Sequence, residues 1–178
     1  MSQQYFSDSE WTTLTQAPIQ AVLAVILSDK TDPVTFLKEA KAAIEILLAE
    51  TERQDVSNDL VNSLQASLKA MNANETLTGE QLVLKREFQL LGKLQTLKSA
   101  AEGRNQALAH LQQVSGILAA KVTIEQARQL KDWLLSVARK VAEAVKEAGW
   151  LGGLGGEAVS QAEASTLSAI SKALDTNL

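Results

Sequence analysis

Apolar side chains recur every three or four residues along most of this chain, and capping and turn residues cut the recurrence into segments. In "FSDSEW", Ser7 stands at an N-cap with Glu10 three residues on, the pattern of a capping box. Phe6 and Trp11 occupy the two positions of a hydrophobic staple around it. A helix is predicted from about Asp8. Pro18 then removes one backbone donor and crowds the preceding turn, which predicts a break near Gln16 and a second piece from Pro18 to about Ser28. That piece contains "IQAVLAVIL", Ile19 to Leu27, the longest apolar run. A bilayer span needs ~20 such residues, so the run reads as a buried core helix.

"SDKTDP" is a turn, with Asp32 as cap and Pro33 at the first helical position. The next helix is expected from Pro33 to about Glu50, with Val34, Leu37, Ile44, Leu47 and Leu48 near one face. A further helix from about Val56 to Met71 carries Leu60, Leu64, Leu68 and Met71 as an amphipathic stripe. Thr78 with Gln81 forms a second capping box, opening a helix to about Ala101 that Gly103 closes as a C-cap. Another helix follows from about Asn105 to Ala120. Thr123 with Gln126 opens the best-defined element, where Leu130, Leu134, Val137, Val141, Ala144 and Ala148 form a heptad seam and Gly149 ends it. The last helix starts at Ser160, with Glu163 completing "SQAE", and carries Leu167, Ile170 and Leu174. No alternating stretch rich in β-branched and aromatic residues competes. The expected fold is all-α, a single compact bundle of about seven helices forming one domain over residues 1–178.

Composition supports this picture. Aromatics make up 4% of the chain, only two prolines interrupt it, and Ala, Leu, Gln, Glu and Lys are abundant. The net charge of -4 is uneven: residues 1–60 hold 4 basic and 10 acidic groups, net -6, and the remainder is net +2. No dense basic face marks a nucleic-acid binder. The absence of cysteine excludes disulfides, thiolate metal sites and cysteine nucleophiles, and fits a reducing compartment. "MSQQYFSDSEW" lacks the basic-then-apolar order of a secretory signal, so a cytoplasmic protein without a transmembrane segment is expected.

The stretch "GWLGGLGGEAVSQAE", residues 149–163, holds five of the nine glycines. A phosphate loop needs such glycines between a strand and a helix, completed by a Lys or by a helix N-terminus. Here they follow a helix, no Lys, Ser or Thr comes directly after, and Glu157 would repel an anion. Residues 149–159 therefore read as a hinge, with left-handed φ angles open to the glycines and Trp150, Leu151 and Leu154 folding back under the helix ends. If that loop is surface instead, Trp150, Leu151 and Leu154 are the candidate contacts for a partner or a membrane.

Other chemistry is sparse. His110, the single histidine, has Gln106, Ala107, Gln113 and Val114 as helical neighbours and no acid among them, which suits a surface or half-buried structural role. Asp29 and Asp32 lack the further oxygen ligands and the glycine of a calcium loop. Glu50, Glu52, Asp55 and Asp59 around Arg53 read as a solvated acidic face, and Arg128, Lys131, Arg139, Lys140 and Lys146 as a solvated basic one. No "GxSxG" elbow accompanies any serine. No catalytic, cofactor-binding or metal-binding residue is assigned.

"VAEAVKEAGWLGGLGGEAVSQAEASTLSAISKAL" and "FSDSEWTTLTQAP" resemble the closing and opening segments of a set of uncharacterised bacterial helical proteins, over about a quarter of the chain. That family implies no activity. Val159-Ser160-x-x-Glu163 is similar to a helix start in TerB-like tellurite-resistance domains; Gly156-Glu157 replaces their Asp-Gly turn, and no metal role is carried over. The expected function is non-enzymatic: an interaction or scaffolding protein, self-associating through the seam at 130–148 or the Trp150 loop. The alternative is a helical-bundle carrier of a lipid or other apolar small ligand, because a core rich in Ala and Gly leaves room.

Overall fold

The computed structural model describes residues 2–28, 33–53, 55, 58–71, 75–150 and 161–176, with backbone alone for residues 2, 35 and 145–150. After a short 3-10 turn at Ser2–Tyr5 come seven helices: α1 (Asp8–Ile26), α2 (Pro33–Glu52), α3 (Asp59–Met71), α4 (Gly79–Leu94), α5 (Ala100–Lys121), α6 (Ile124–Trp150) and α7 (Gln161–Ala173). No strand occurs among the described residues. The all-α bundle is as expected.

α1 is the central rod. It packs against α5 and α6 most extensively and also meets α2, α3 and α7. Its "IQAVLAVIL" segment explains why: Ala21, Val22 and Ala24 are fully buried, and Val25, Ile26 and Leu27 nearly so. An element apolar all round has to be enclosed. The start of α1 is pinned as its sequence predicts. Glu10 N–H donates to Ser7 Oγ (3.2 Å), and Ser7 N–H donates to Glu10 Oε2 (2.7 Å). The Phe6 and Trp11 rings lie 5.6 Å apart, and Trp11 Nε1–H donates to Ser67 Oγ of α3.

The expected break at Pro18 does not occur; α1 runs through it. An interior proline costs about 3 kcal/mol. Leu14, Ala17, Ala21 and Val22 on either side are fully buried. Each large apolar side chain among them returns about 1.5–3 kcal/mol only if both halves stay on one axis against α5 and α6.

Other boundaries also shift. α4 ends at Leu94, not near Ala101, and α5 opens at Ala100 under an N-cap from Ser99, whose Oγ accepts from Glu102 N–H (3.1 Å). Gly103 is therefore not a C-cap but part of the first turns of α5. A Cβ there would lie 2.5 Å from Leu97 Cδ1 and 2.7 Å from Leu27 Cδ1, so glycine serves close approach. Thr78 precedes α4, but its side chain makes no capping bond; Gly79 takes φ +55°, which displaces the first turn from where Thr78 could reach it. Thr123 and Gln126 do form their box, with reciprocal bonds of 3.2 and 3.3 Å. α3 begins at Asp59 rather than Val56, because Asn58 Oδ1 accepts from both Leu60 N–H and Val61 N–H. α6 passes through Gly149 to Trp150.

The α6 seam is buried within the chain: Leu130, Leu134, Val137 and Val141 are inaccessible, and the helix packs on α2 and α1. On α2 the buried stripe is Ala40, Ala43 and Ile44, while Val34 (64% exposed) and Leu37 (44%) are outside it. Val34 and Ala43 are nine positions apart, about two and a half turns, so they face opposite ways.

Candidate functional site

Two features meet at the C-terminal half of α2. The first is a buried charge. Glu50 is 4% exposed and receives three side-chain donors: Trp133 Nε1–H (3.0 Å) and Lys140 Nζ from α6, and Arg53 Nη1 (3.2 Å). Gln65 of α3 donates to the Glu50 carbonyl (2.7 Å). Burial pushes the Glu50 carboxyl up, but the bonds from Lys140, Trp133 and Arg53 together outweigh it and hold the group below its ordinary value. Arg53 also grips Asp55 through two bonds of 2.9 and 2.7 Å, holding that carboxyl down to about 2. These contacts correct the reading of two solvated faces: Glu50 and Lys140 neutralise each other between helices, and Lys131 is buried too. Glu52, Asp55 and Asp59 do remain exposed, as do Arg128 and Arg139. Fully engaged carboxylate oxygens suit an anchor, which fixes the end of α2 against α3 and α6.

The second feature depends on that anchor. Beside it, α1, α2, α3 and α4 border an open-sided cleft of about 710 Å³. Its wall on α2 is Ile44, Leu47, Leu48 and Thr51, at helical spacing along one face. Thr15, Pro18 and Ile19 of α1 contribute the second wall, and Leu68 and Met71 of α3 the third. The α3 stripe read from sequence is thus divided: Leu60 and Leu64 enter the core, while Leu68 and Met71 line the cleft, Met71 being 75% exposed. The fourth wall is a polar stripe of α4 and the turn after it: Arg86, Gln89, Lys93 and Thr96, with Leu90 and Gly92 among them. Steps of three and four keep Arg86, Gln89 and Lys93 on one side of α4, and Thr96 follows in the turn.

The cleft is amphiphilic. The α1, α2 and α3 walls are mostly hydrocarbon, the described lining residues include no acid, and both cations belong to α4. Arg86 Nη1 donates to Gln89 Oε1 (2.7 Å). The three threonine hydroxyls are spent on backbone carbonyls: Thr15 on Thr12 (2.9 Å), Thr51 on Leu48 and Thr96 on Lys93 (both 2.7 Å).

The chain matches no known protein family, no curated protein and no solved structure.

Of the apolar stripes read from the sequence, Ile44, Leu47, Leu48, Leu68 and Met71 line this cleft, whereas His110 does not. His110 is half-buried, its Nε2 2.8 Å from the Thr13 carbonyl oxygen, which is the structural role expected. Asp29, Asp32 and residues 151–160, Leu151 and Leu154 among them, lie outside the described residues, as does the Trp150 side chain, so the hinge expected at 149–159 falls largely outside them too. Among the described residues, no three His, Cys, Asp or Glu side chains gather where a metal could sit, and no helix is long and apolar enough to cross a membrane. The stripe Arg86–Gln89–Lys93 went unread. Its spacing is visible in the sequence, but its meaning depends on α4 lying across a gap, which is a tertiary fact.

Proposed function

We propose that this is a non-enzymatic, cytoplasmic binding protein that holds a small apolar ligand in the cleft between α1, α2, α3 and α4. The observation that carries the reading is the cleft itself: about 710 Å³, walled by Ile19, Ile44, Leu47, Leu68 and Met71 with a few polar groups on one side. Sites for small ligands are typically concave, ~300–1,000 Å³ and mostly apolar with a few placed polar groups. The groups best suited to proton transfer are occupied, Glu50 by three donors and His110 by a backbone carbonyl, which supports a carrier over a catalyst. The cysteine-free sequence supports the cytoplasmic location.

Titration with a neutral environment-sensitive dye, N-phenyl-1-naphthylamine, tests this. Saturable binding of one dye per chain is expected. Gly92→Phe should abolish it while leaving the helical circular dichroism intact, because nothing lies within 4 Å of a Cβ at Gly92 and the new ring enters the cleft. A chain that takes up no dye sinks the proposal.

A scaffolding role has one observation in its favour. Leu84 and Phe88, one turn apart on α4, are 52% and 66% exposed, and contiguous exposed apolar surface marks interaction sites. Concentration-dependent association by light scattering, lost in Phe88→Lys, is the expected outcome on that reading. A monomer at all concentrations removes it.

A further inference from the structure

We infer that the ligand of this cleft is a neutral single hydrocarbon chain ending in a carbonyl, whose oxygen accepts from Gln89 and Lys93 while its tail runs past Leu48 toward Leu82. The inference rests on the reading of the cleft as a binding site and adds the chemistry of what it takes. The first ground is the shape of the space. The cleft and the groove beside it, about 560 Å³, share Leu48 and Thr51 of α2, so the two join along one side of α4. Leu82, Arg86, Gln89 and Lys93 step by four, three and four, which keeps them on that side. From Leu82 to Lys93 is about 16 Å along the axis. Around the Leu82 end stand Val83, Leu48 and Ala49. Each acid there has a cation beside it, Glu52 with Lys69 (3.1 Å) and Glu45 with Lys41 (4.0 Å). That end suits a tail.

The hydrogen-bond inventory of the other end is the second ground. Arginine carries donors only, so the Arg86 bond (2.7 Å) falls on the Gln89 amide oxygen and leaves both hydrogens of the amide nitrogen uncommitted. Among the described residues, nothing accepts from that nitrogen or from Lys93 Nζ, four positions on. Arg86 itself is committed, to Gln89 and through its charge to Glu75, and takes no part in the head. The lining threonines have given their hydrogens to backbone carbonyls. What this end offers is therefore N–H donors, which call for an oxygen acceptor. A hydroxyl or ammonium end needs an acceptor in return, yet the Gln89 oxygen is taken and the described lining holds no acid. A carboxylate gains little from one solvent-exposed lysine. A carbonyl oxygen meets the donors without bringing a charge into the cleft.

Tridecan-2-one is the probe, titrated calorimetrically into the full chain beside undecan-2-one, tridecanoate and tridecylammonium, each below its aggregation concentration. The ketone is expected to bind one per chain, more tightly than the ammonium and no more weakly than the carboxylate. Its carbonyl stretch, read by infrared on the complex, should lie at lower wavenumber than in an alkane solvent. Gln89→Glu, at an exposed position, keeps an acceptor for Arg86 and removes the amide hydrogens. It should weaken the ketone ~2- to 10-fold and raise the stretch. Each methylene from undecan-2-one to tridecan-2-one should tighten binding ~4-fold. Ala49→Phe, which fills the groove at another exposed position, should abolish that gain. A stretch identical in the Gln89→Glu chain, or an ammonium as tight as the ketone, overturns the carbonyl end. Tridecanoate binding more than ~10-fold tighter overturns its neutrality, and a chain-length gain untouched by Ala49→Phe overturns the tail placement. All three leave the apolar-ligand reading standing, as does uptake of the naphthylamine dye without the ketone, which removes this inference alone. If neither dye nor any chain binds, both readings fall.

Discussion

At the residue scale, two positions show how far a local rule reaches. Gly103 and Gly116 both lie inside α5, where glycine costs ~1 kcal/mol against alanine. A Cβ at Gly116 meets nothing within 4 Å, whereas at Gly103 it meets Leu97 and Leu27 below 3.0 Å. Gly116→Ala should therefore raise stability by about 0.5–1 kcal/mol, and Gly103→Ala should fall roughly 1–3 kcal/mol below it, read as midpoints of urea unfolding. Glu50 gives the second case. Its folded pKa is depressed, so the unfolded chain binds more protons as pH falls below the ordinary glutamate value of 4.5. Its contribution is present above that value and lost as pH drops through the lower folded one. Unfolding free energy measured from pH 6 to 3 should decline on this limb, and Glu50→Gln should flatten it. Glu50→Ala should cost about 2–4 kcal/mol at pH 7, since it strips a buried indole N–H of its acceptor. None of this was legible in the sequence. Glu50 sits among Glu52 and Asp55 and looks like its solvated neighbours; only the approach of Trp133 and Lys140, 83 and 90 positions away, makes it different.

At the scale of elements, the sequence said most where a signal is self-contained. Ser7 with Glu10 and Thr123 with Gln126 close their boxes because both partners sit on the same turn. It said least where one residue type serves two ends of a helix. Gly103 looks like a C-cap after Ala101, but the cap that counts is Ser99, four residues earlier. Thr78 carries the same pattern as Thr123 and fails because Gly79 turns left-handed. The two caps can be weighed directly. Ser99→Ala should lower stability by ~1 kcal/mol, the usual cost of an N-cap hydroxyl, and Thr78→Ala by a few tenths at most. Equal losses would mean that Thr78 does cap α4.

At the scale of the whole molecule, what positions the cleft is an imbalance between α1 and α4. α1 is enclosed by five other helices and buries nine residues; α4 buries only Val83 and Leu90 and packs chiefly on α2. Seven amphipathic helices were readable from periodicity, but not that one of them would rest on a single neighbour and leave a gap beside it. An element with so few buried contacts opens at low free-energy cost, while the central rod opens only with global unfolding. Amide hydrogen exchange should therefore be fast along 79–94 and slowest along 8–26. A ligand seated between α4 and the α1–α3 walls supplies α4 with the apolar contacts it lacks. At a hundred-fold excess over its dissociation constant it adds ~2.7 kcal/mol to the folded state. N-phenyl-1-naphthylamine should slow exchange across α4 far more than across α5 or α7, whose described residues do not border the cleft, and Gly92→Phe should reproduce that protection without ligand. Uniform slowing of every helix would instead mean that the ligand stabilises the chain without seating against α4.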